Sequence, residues 1–191
     1  KPKGICGSGY IDLLSELLEA GIIDKGGKIK AEGKRIRQAD TGKEFVVCFK
    51  EETDCGTDIV INEADIENLK RAKAAIYSAS SILLKHMGLS FAQVQKVFIA
   101  GGFGTYLDME NAVAIGLLPD IERSRFLFIG NSSLSGSRQV LLSYEAMKKA
   151  DDIAKKITYF ELSVEPSYME EYMAALFFPH TDLGLFPSLG S

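Results

Sequence analysis

Lys96-Val97-Phe98-Ile99-Ala100-Gly101-Gly102-Phe103-Gly104 is the stretch on which the fold turns. A short apolar run halts at closely spaced glycines, and a helical pattern follows from about Asp108 to Ile115, which reads as strand, glycine turn, helix. The pattern recurs once. Arg125-Phe126-Leu127-Phe128-Ile129 leads into Gly130-Asn131-Ser132-Ser133-Leu134-Ser135-Gly136 and then a helix through Val140, Leu141, Tyr144, Met147 and Ile153. Two successive units of this kind predict an α/β fold with parallel strands.

Upstream, Gly4-Ile5-Cys6-Gly7-Ser8-Gly9 is followed by a helical pattern with Tyr10, Leu13, Leu14, Leu17 and Leu18 on one face, stopping at Gly21. From 26 to 62 the character changes to glycine-rich turns and short β-like runs at Arg35–Gln38, Phe45–Phe49 and Ile59–Ile61, which predicts a small antiparallel insertion with poorly fixed loops. A long helix is expected next, capped by Asn62 with Glu63, Asp65 and Glu67 near its positive end, and ending at Gly88 after about 36 Å. Ile157–Leu162 reads as a last strand, Tyr168–Leu176 as an amphipathic helix, and 177–191 as an irregular arm packed by its aromatics.

Composition bounds the rest. The chain has 191 residues, 46% hydrophobic and 25% charged, which is ordinary globular usage and sets aside disorder, a coiled coil or a disulfide scaffold. A formal charge of −4 gives no broad cationic surface for a phosphate backbone, so no nucleic-acid partner is expected. No apolar run approaches the ~20 residues that span a bilayer, so no membrane role is expected and the chain reads as cytoplasmic. It opens Lys1-Pro2-Lys3-Gly4, without an initiator Met, and is expected to be the C-terminal part of something longer. Cys6, Cys48 and Cys55 fit no metal-ligand spacing and read as reduced thiols. His86 and His180 are 94 positions apart and read as unaccompanied by a catalytic partner, so a triad or a histidine metal site is not expected.

Several segments have two readings each. Gly101 and Gly102 lack Cβ, so a flat or anionic group can approach the main chain, which suits a nucleotide; the turn equally suits close packing on its own protein. It is not the dinucleotide fingerprint, because the glycine spacing differs. Gly7, Ser8 and Gly9 open a helix whose free N–H groups suit an anion, or they permit a close helix crossing. Ser132, Ser133 and Ser135 bind phosphate or cap the next helix. Asp54-Cys55-Gly56-Thr57-Asp58 carries the D-x-G-T of an actin-like phosphate hairpin, but the preceding Lys50-Glu51-Glu52-Thr53 is no apolar strand, so an exposed loop is expected; Asp40-Thr41-Gly42 fails likewise. Lys70, Arg71 and Lys73 stand on the long helix within reach of a ribose or phosphate, or on a merely solvated face.

Val97 through Asp108, together with Gly116-Leu117-Leu118-Pro119 and Gly4 through Asp12, resembles the C-terminal region of the reductive activators of corrinoid proteins. These belong to the superfamily of acetate and sugar kinases, heat-shock chaperones and actin. The likeness extends over nearly the whole chain, including Ala64-Asp65-Ile66, Ala72 through Ile76, and Gly130-Asn131. It implies that 1–191 is a fragment of an actin-like ATPase domain, a ribonuclease H-like α/β subdomain with the small antiparallel β insertion.

The function so implied is an ATPase that drives electrons from an N-terminal [2Fe-2S] domain to a corrinoid protein, returning Co(II) to Co(I). By that resemblance Ile99–Gly104 corresponds to the adenosine motif, with Gly101 and Gly102 beside the base and α-phosphate and Phe103 and Gly104 completing it. Glu67, Lys70 and Arg71 have the spacing with which the chaperone relatives contact adenosine. Gly7, Ser8 and Gly9 join them as candidate nucleotide-binding residues. ATP with Mg²⁺ is the implied cofactor, a corrinoid protein the implied partner, and a homodimer a further expectation. The cluster cysteines and upstream phosphate hairpins of the family are not in this stretch, so its Mg²⁺ ligands are expected elsewhere and hydrolysis by this piece alone is not. Alternatives are a non-catalytic corrinoid-protein-binding or dimerisation module, and a kinase-like member of the same superfamily.

Overall fold

The computed structural model describes residues 1–190 except 41 and 103. The first helix, α1 (Gly7–Glu19), starts earlier than its apolar face suggests, because Cys6 acts as N-cap and its Sγ accepts the Gly9 N–H at 3.4 Å. It ends as expected: Gly21 is left-handed, at φ 65°, and its N–H reaches the Leu18 carbonyl. The antiparallel insertion forms β1 (Ile36–Ala39), β2 (Gly42–Cys48) and β3 (Ile59–Asn62) in the order 1-2-3, with a bulge between Val46 and Cys48.

The loop between β2 and β3 is more firmly held than its glycine and charge content predicts. Asp58 accepts from the Lys50 amide at 2.8 Å and from Arg37 at 2.7 Å, and Thr53 bonds two carbonyls across it. Residues 54–57 are exposed, as expected of a loop. The Asp40-Thr41-Gly42 segment runs through Thr41, which lies outside the described residues.

The long helix α2 (Glu63–His86) begins where the sequence places it. Asn62 Oδ1 accepts the Asp65 N–H at 2.9 Å while Asp65 accepts the Asn62 N–H, a reciprocal capping box. Downstream, β4 (Val97–Ala100) pairs in parallel with β5 (Phe126–Gly130), and α3 (Met109–Ala114) lies between them in the chain, capped by Asp108.

Two expectations need correction. The helix through Val140 and Ile153 is two helices, α4 (Ser132–Leu142) and α5 (Tyr144–Ala154), because Ser143 is extended and its hydroxyl caps the second at Ala146 N. Ile157–Leu162 is not a strand. Residues 157–161 are irregular, Leu162 opens a 3-10 turn, and Ile157 and Tyr159 are exposed with no strand beside them among the described residues. Apolar alternation alone cannot form a strand without a partner to take its hydrogen bonds.

The main core gathers Ile11, Leu14 and Leu17 of α1, Ile61 and Ile66 around the start of α2, and Leu107, Ala112, Ile115 and Phe178. A second cluster joins Ala74 and Tyr77 of α2 to Val113, Ala175 of α6 (Tyr168–Ala175) and Phe186. Phe178 and Phe186 come from the C-terminal arm, which is therefore seated, as its aromatics suggest. Lys73 fastens it. Only 1% exposed, its Nζ donates to the Phe177 carbonyl at 2.5 Å and the Pro179 carbonyl at 2.7 Å. That burial corrects the expectation that Lys73 reaches toward a ribose or phosphate.

Candidate functional site

Two glycine turns meet at the carboxyl ends of the parallel strands, the edge at which open α/β sheets place ligands. Gly101 follows β4 and Gly130 closes β5; both are left-handed, at φ 98° and 62°, and the Gly101 N–H donates to the Gly130 carbonyl at 2.7 Å. A Cβ built on Gly101, Gly102 or Gly130 would meet nothing within 4 Å. The backbone here is bare and faces open space. Among the described residues, no side chain away from the turn itself plugs it.

Gly104 is different. A Cβ there would lie 2.6 Å from Ile99 Cγ2 and 3.5 Å from Phe128 Cδ1, so this glycine lets the turn close over its own strands. Phe103 lies outside the described residues. Beyond Gly130, the helix α4 is capped by Asn131, whose Oδ1 accepts the Leu134 N–H at 2.9 Å, and Ser132, Ser133 and Ser135 are exposed on its first turn.

At the start of α1, Ser8 is buried and its hydroxyl lies 3.3 Å from Cys6 Sγ, while Gly7 is exposed. A Cβ on Gly9 would press on Ile5 Cγ2 at 3.3 Å. Of the three, Gly7 presents backbone outward, and Ser8 and Gly9 serve the cap. The hydrogen bond with the Ser8 hydroxyl, helped by the helix amides, holds the Cys6 thiol below its ordinary pKa.

Glu67, Lys70 and Arg71 are brought together on α2, largely by bonding one another. Lys70 Nζ lies 2.7 Å from Glu67 Oε2 and 2.7 Å from the Gly26 carbonyl, and Arg71 Nε stands 3.4 Å from Glu67 Oε1. The Lys70 hydrogen bond is the main reason Glu67 sits below the usual carboxylate range. Lys70 thus ties the β insertion to α2; its stem also packs where Gly27 leaves room. Arg71 remains largely exposed.

Leu69, inside this triplet, and Ile99, two residues before Gly101, pack against the same core, so both segments stand on its rim. A shallow cavity of about 300 Å³ between α1 and α2 is lined by Tyr10, Asp65, Asn68 and Leu69, next in sequence to Gly9 and Glu67. Two larger cavities, of about 840 and 490 Å³, are lined by other residues.

Among the described residues no group of three or more His, Cys, Asp or Glu side chains is placed to hold a metal ion. The three cysteines are free thiols on separate segments. Three thiols on separate segments do not fit the four-thiolate donor set of an iron–sulfur cluster. No helix among the described residues is long and apolar enough to cross a membrane.

Polar groups with little exposed side chain that sequence reasoning passed over lie on α6, on the arm and, at Asp120, between α3 and β5. His180 and Glu171 face each other at 3.9 Å, and Asp120 is clamped by Arg123 and Ser188. The contacts of Asp120 with Ser188 and of Glu171 with Lys85 join residues far apart in the chain, which local spacing does not record.

A family model described as the C-terminal domain of RACo, the ASKHA domain, matches residues 1–190. A corrinoid activation enzyme, RamQ, of Eubacterium limosum is 35% identical over 181 residues, covering 90% of this chain and 30% of that protein. A Co(II) methylated amine-specific corrinoid protein reductase of Methanosarcina barkeri is 29% identical over 164 residues, covering 86% of this chain and 27% of its own length. The solved structure of a reductive activator for corrinoid, iron–sulfur protein superposes with a TM-score of 0.91 at 51% identity, covering 96% of this chain and 30% of that one. The chain therefore spans about a third of the length of the relatives it matches.

Proposed function

The chain belongs to the family of C-terminal ASKHA domains of reductive activators, and from that premise we propose that it supplies the adenosine-facing wall of a nucleotide cleft. The whole protein, in this reading, uses ATP to drive a one-electron reduction of a corrinoid protein from Co(II) to Co(I). The observation that carries the reading is the turn at Gly101 and Gly102, where a Cβ would meet no described atom beyond its chain neighbours within 4 Å, at the carboxyl ends of two parallel strands. A planar base or a phosphate can lie directly on that backbone. Gly101 and Gly102 receive the nucleotide, Arg71 is the cation of the α2 triplet best exposed to reach it, and Glu67 and Lys70 orient Arg71 and hold the helix. Gly7 offers exposed backbone at a second helix start.

ATP with Mg²⁺, when bound, supplies the free energy of the reduction, and the acids that hold the metal and orient water belong to parts of the protein outside this chain. The same holds for the [2Fe-2S] electron donor. The strand faces support this division. Parallel sheets bury both faces, yet Phe98 is 60% and Phe128 45% exposed, so further polypeptide is needed to cover them.

A second reading applies to 131–160. No residue there is buried, and Leu134, Leu141, Leu142 and Tyr144 are exposed, which favours a contact surface for the corrinoid protein or for a second copy.

The test uses the longer protein that contains this chain. Gly102 has no Cβ neighbour and an ordinary φ, so Gly102→Leu leaves folding intact and fills only the proposed nucleotide space. Calorimetric ATP affinity should fall at least ten-fold while the melting temperature holds. Unchanged affinity overturns the reading and leaves the contact-surface alternative, which predicts ATP-independent capture of a corrinoid protein.

A further inference from the structure

The C-terminal arm is held at one point by a buried histidine. His180 is 5% exposed, and its ring packs on Tyr77 of α2 and on Phe186 of the arm itself. Its Nδ1 accepts the Asp182 N–H at 3.0 Å, so the neutral ring carries its proton on Nε2. That Nε2 has no hydrogen-bond partner among the described residues. Just before it in the chain, the Phe177 and Pro179 carbonyls accept from Lys73 Nζ.

The charged groups around the ring come from four segments. From α6, Glu171 stands 3.9 Å from Nε2, but its other oxygen accepts from Lys85 Nζ of α2 at 2.5 Å, so its charge is already matched. On the arm, Asp182 Oδ1 accepts the Gly184 N–H at 2.9 Å. After α3, Asp120 accepts from Arg123 and from Ser188. The Tyr77 phenol stays neutral, because burial holds it well above its ordinary pKa. Lys73 remains as the cation next to the histidine. Burial is the main cause that keeps the imidazole below its ordinary pKa; Glu171 acts the other way and Lys73 pushes it further down.

A second proton on this ring has no acceptor. It would sit on Nδ1 and face the Asp182 N–H, two donors where one hydrogen bond now shapes the turn. At Nε2 the separation of 3.9 Å from Glu171 is beyond hydrogen-bonding distance. We propose that His180 is an acid-operated latch: a proton on its ring unseats residues 180–190 from α2 and α6, while 177–179 stay tied to Lys73 and α1 stays folded. Lys73 donates to its two carbonyls in either charge state, which sets the boundary of the released segment. The outer bonds, from Ser188 to Asp120, are exposed, so water replaces them at little cost.

The sign follows from which state takes the proton. Above about pH 6.5 the ring is neutral whether the arm is seated or released, and seating is complete. Below it the released arm binds a proton that the seated arm refuses, so seating weakens until the lower pKa of the seated ring is reached. Lys73, at about 7 when buried, contributes its own dependence above that value and little below it. Aspartates and glutamates at ordinary values stay ionised above about pH 5.5.

Hydrogen–deuterium exchange on the longer protein that contains this chain tests the latch, comparing peptides across 181–187 with peptides of α1 at pH 7.0 and 5.5 after correction for intrinsic rates. Protection of 181–187 should fall at least about three-fold at pH 5.5, and by no more than the roughly ten-fold that one proton allows, while α1 is unchanged. His180→Phe keeps an aromatic ring and removes the titration, so its arm protection, whatever its level, should be the same at both pH values. In an NMR titration of the unaltered protein the His180 ring should titrate below about pH 6.5. These two measurements on the unaltered protein decide the matter if the variant fails to fold. Arm protection independent of pH, a fall shared by α1, an equal fall in His180→Phe, or a ring that titrates above about 6.5 because Glu171 holds it charged, each overturns the proposal.

Discussion

The helix α3 stands between two glycine turns that are bare for opposite reasons. At Gly101 and Gly102, before it, a Cβ would meet nothing within 4 Å. At Gly116, just after it, a Cβ would lie 2.1 Å from the Pro179 carbonyl oxygen. Both turns use left-handed backbone, at φ 98° and 73° for Gly101 and Gly116. One glycine admits the chain's own C-terminal arm, while the other pair leaves a surface unoccupied. A glycine in a sequence therefore marks a close approach without naming what approaches, and only the second kind of turn is a candidate binding surface.

Substitution separates the two, and the largest effect belongs to Gly116. Gly116→Ala combines a positive φ with a collision against backbone that cannot swing away, and should cost more than about 3 kcal/mol in urea unfolding. A loss below about 1 kcal/mol would mean that the arm is not seated against this turn.

Lys73 reports on the same arm. Burial, with Lys70 nearby, lowers its pKa to about 7 from 10.5. Between those values the unfolded chain holds a proton that the folded one does not, so stability rises with pH across that window, by at most about 1.4 kcal/mol per pH unit. Below pH 7 both states are charged and the contribution is flat, with the full cost of burying the ammonium present. Lys73→Met should remove the slope; parallel stability curves for the two proteins between about pH 7 and 10 would show that Lys73 is not buried as described.

Smaller effects belong to the open turn. Gly101→Ala meets no atom but keeps φ 98°, so only backbone strain of about 1–2 kcal/mol is expected by chemical denaturation. Gly102→Ala has neither strain nor collision and should fall within about 0.5 kcal/mol of the unaltered protein. If Gly102→Ala were as damaging as Gly116→Ala, the two turns would be alike and the open surface would be lost as a site.

Much of the scaffold was legible in the sequence, because it is built from local signals. Apolar spacing located α1, Asn62 with the acids after it began α2, and the runs at 97–100 and 126–130 stopped at glycines where the strands stop. The errors lie where local pattern lacked a tertiary partner. The α4–α5 region buries nothing, so Ser143 was free to extend and cap a new helix, and 157–161 has no strand beside it among the described residues to make its apolar alternation a strand.

At the candidate site the boundary falls differently. Gly101 and Gly102 were legible as a bare turn, but whether it opened outward was not. The Glu67, Lys70 and Arg71 spacing was visible, yet the capture of Lys70 by the Gly26 carbonyl depends on how the β insertion lies on α2. Lys73 looked like its solvated neighbours, and its burial under the arm joins residues far apart in the chain. The Glu171 and His180 pair left no trace, since the two residues stand on different segments, α6 and the arm, brought together by the fold.

The sequence by itself determined the order of elements, the helix caps, the glycine turns and the family likeness, because each resides in the spacing of nearby residues. The tertiary structure alone decided which glycines face open space and which face the chain, which lysine is buried, and which buried polar atoms are left unpaired. Those outcomes depend on what the chain brings from a distance to each position, and local spacing carries no record of that.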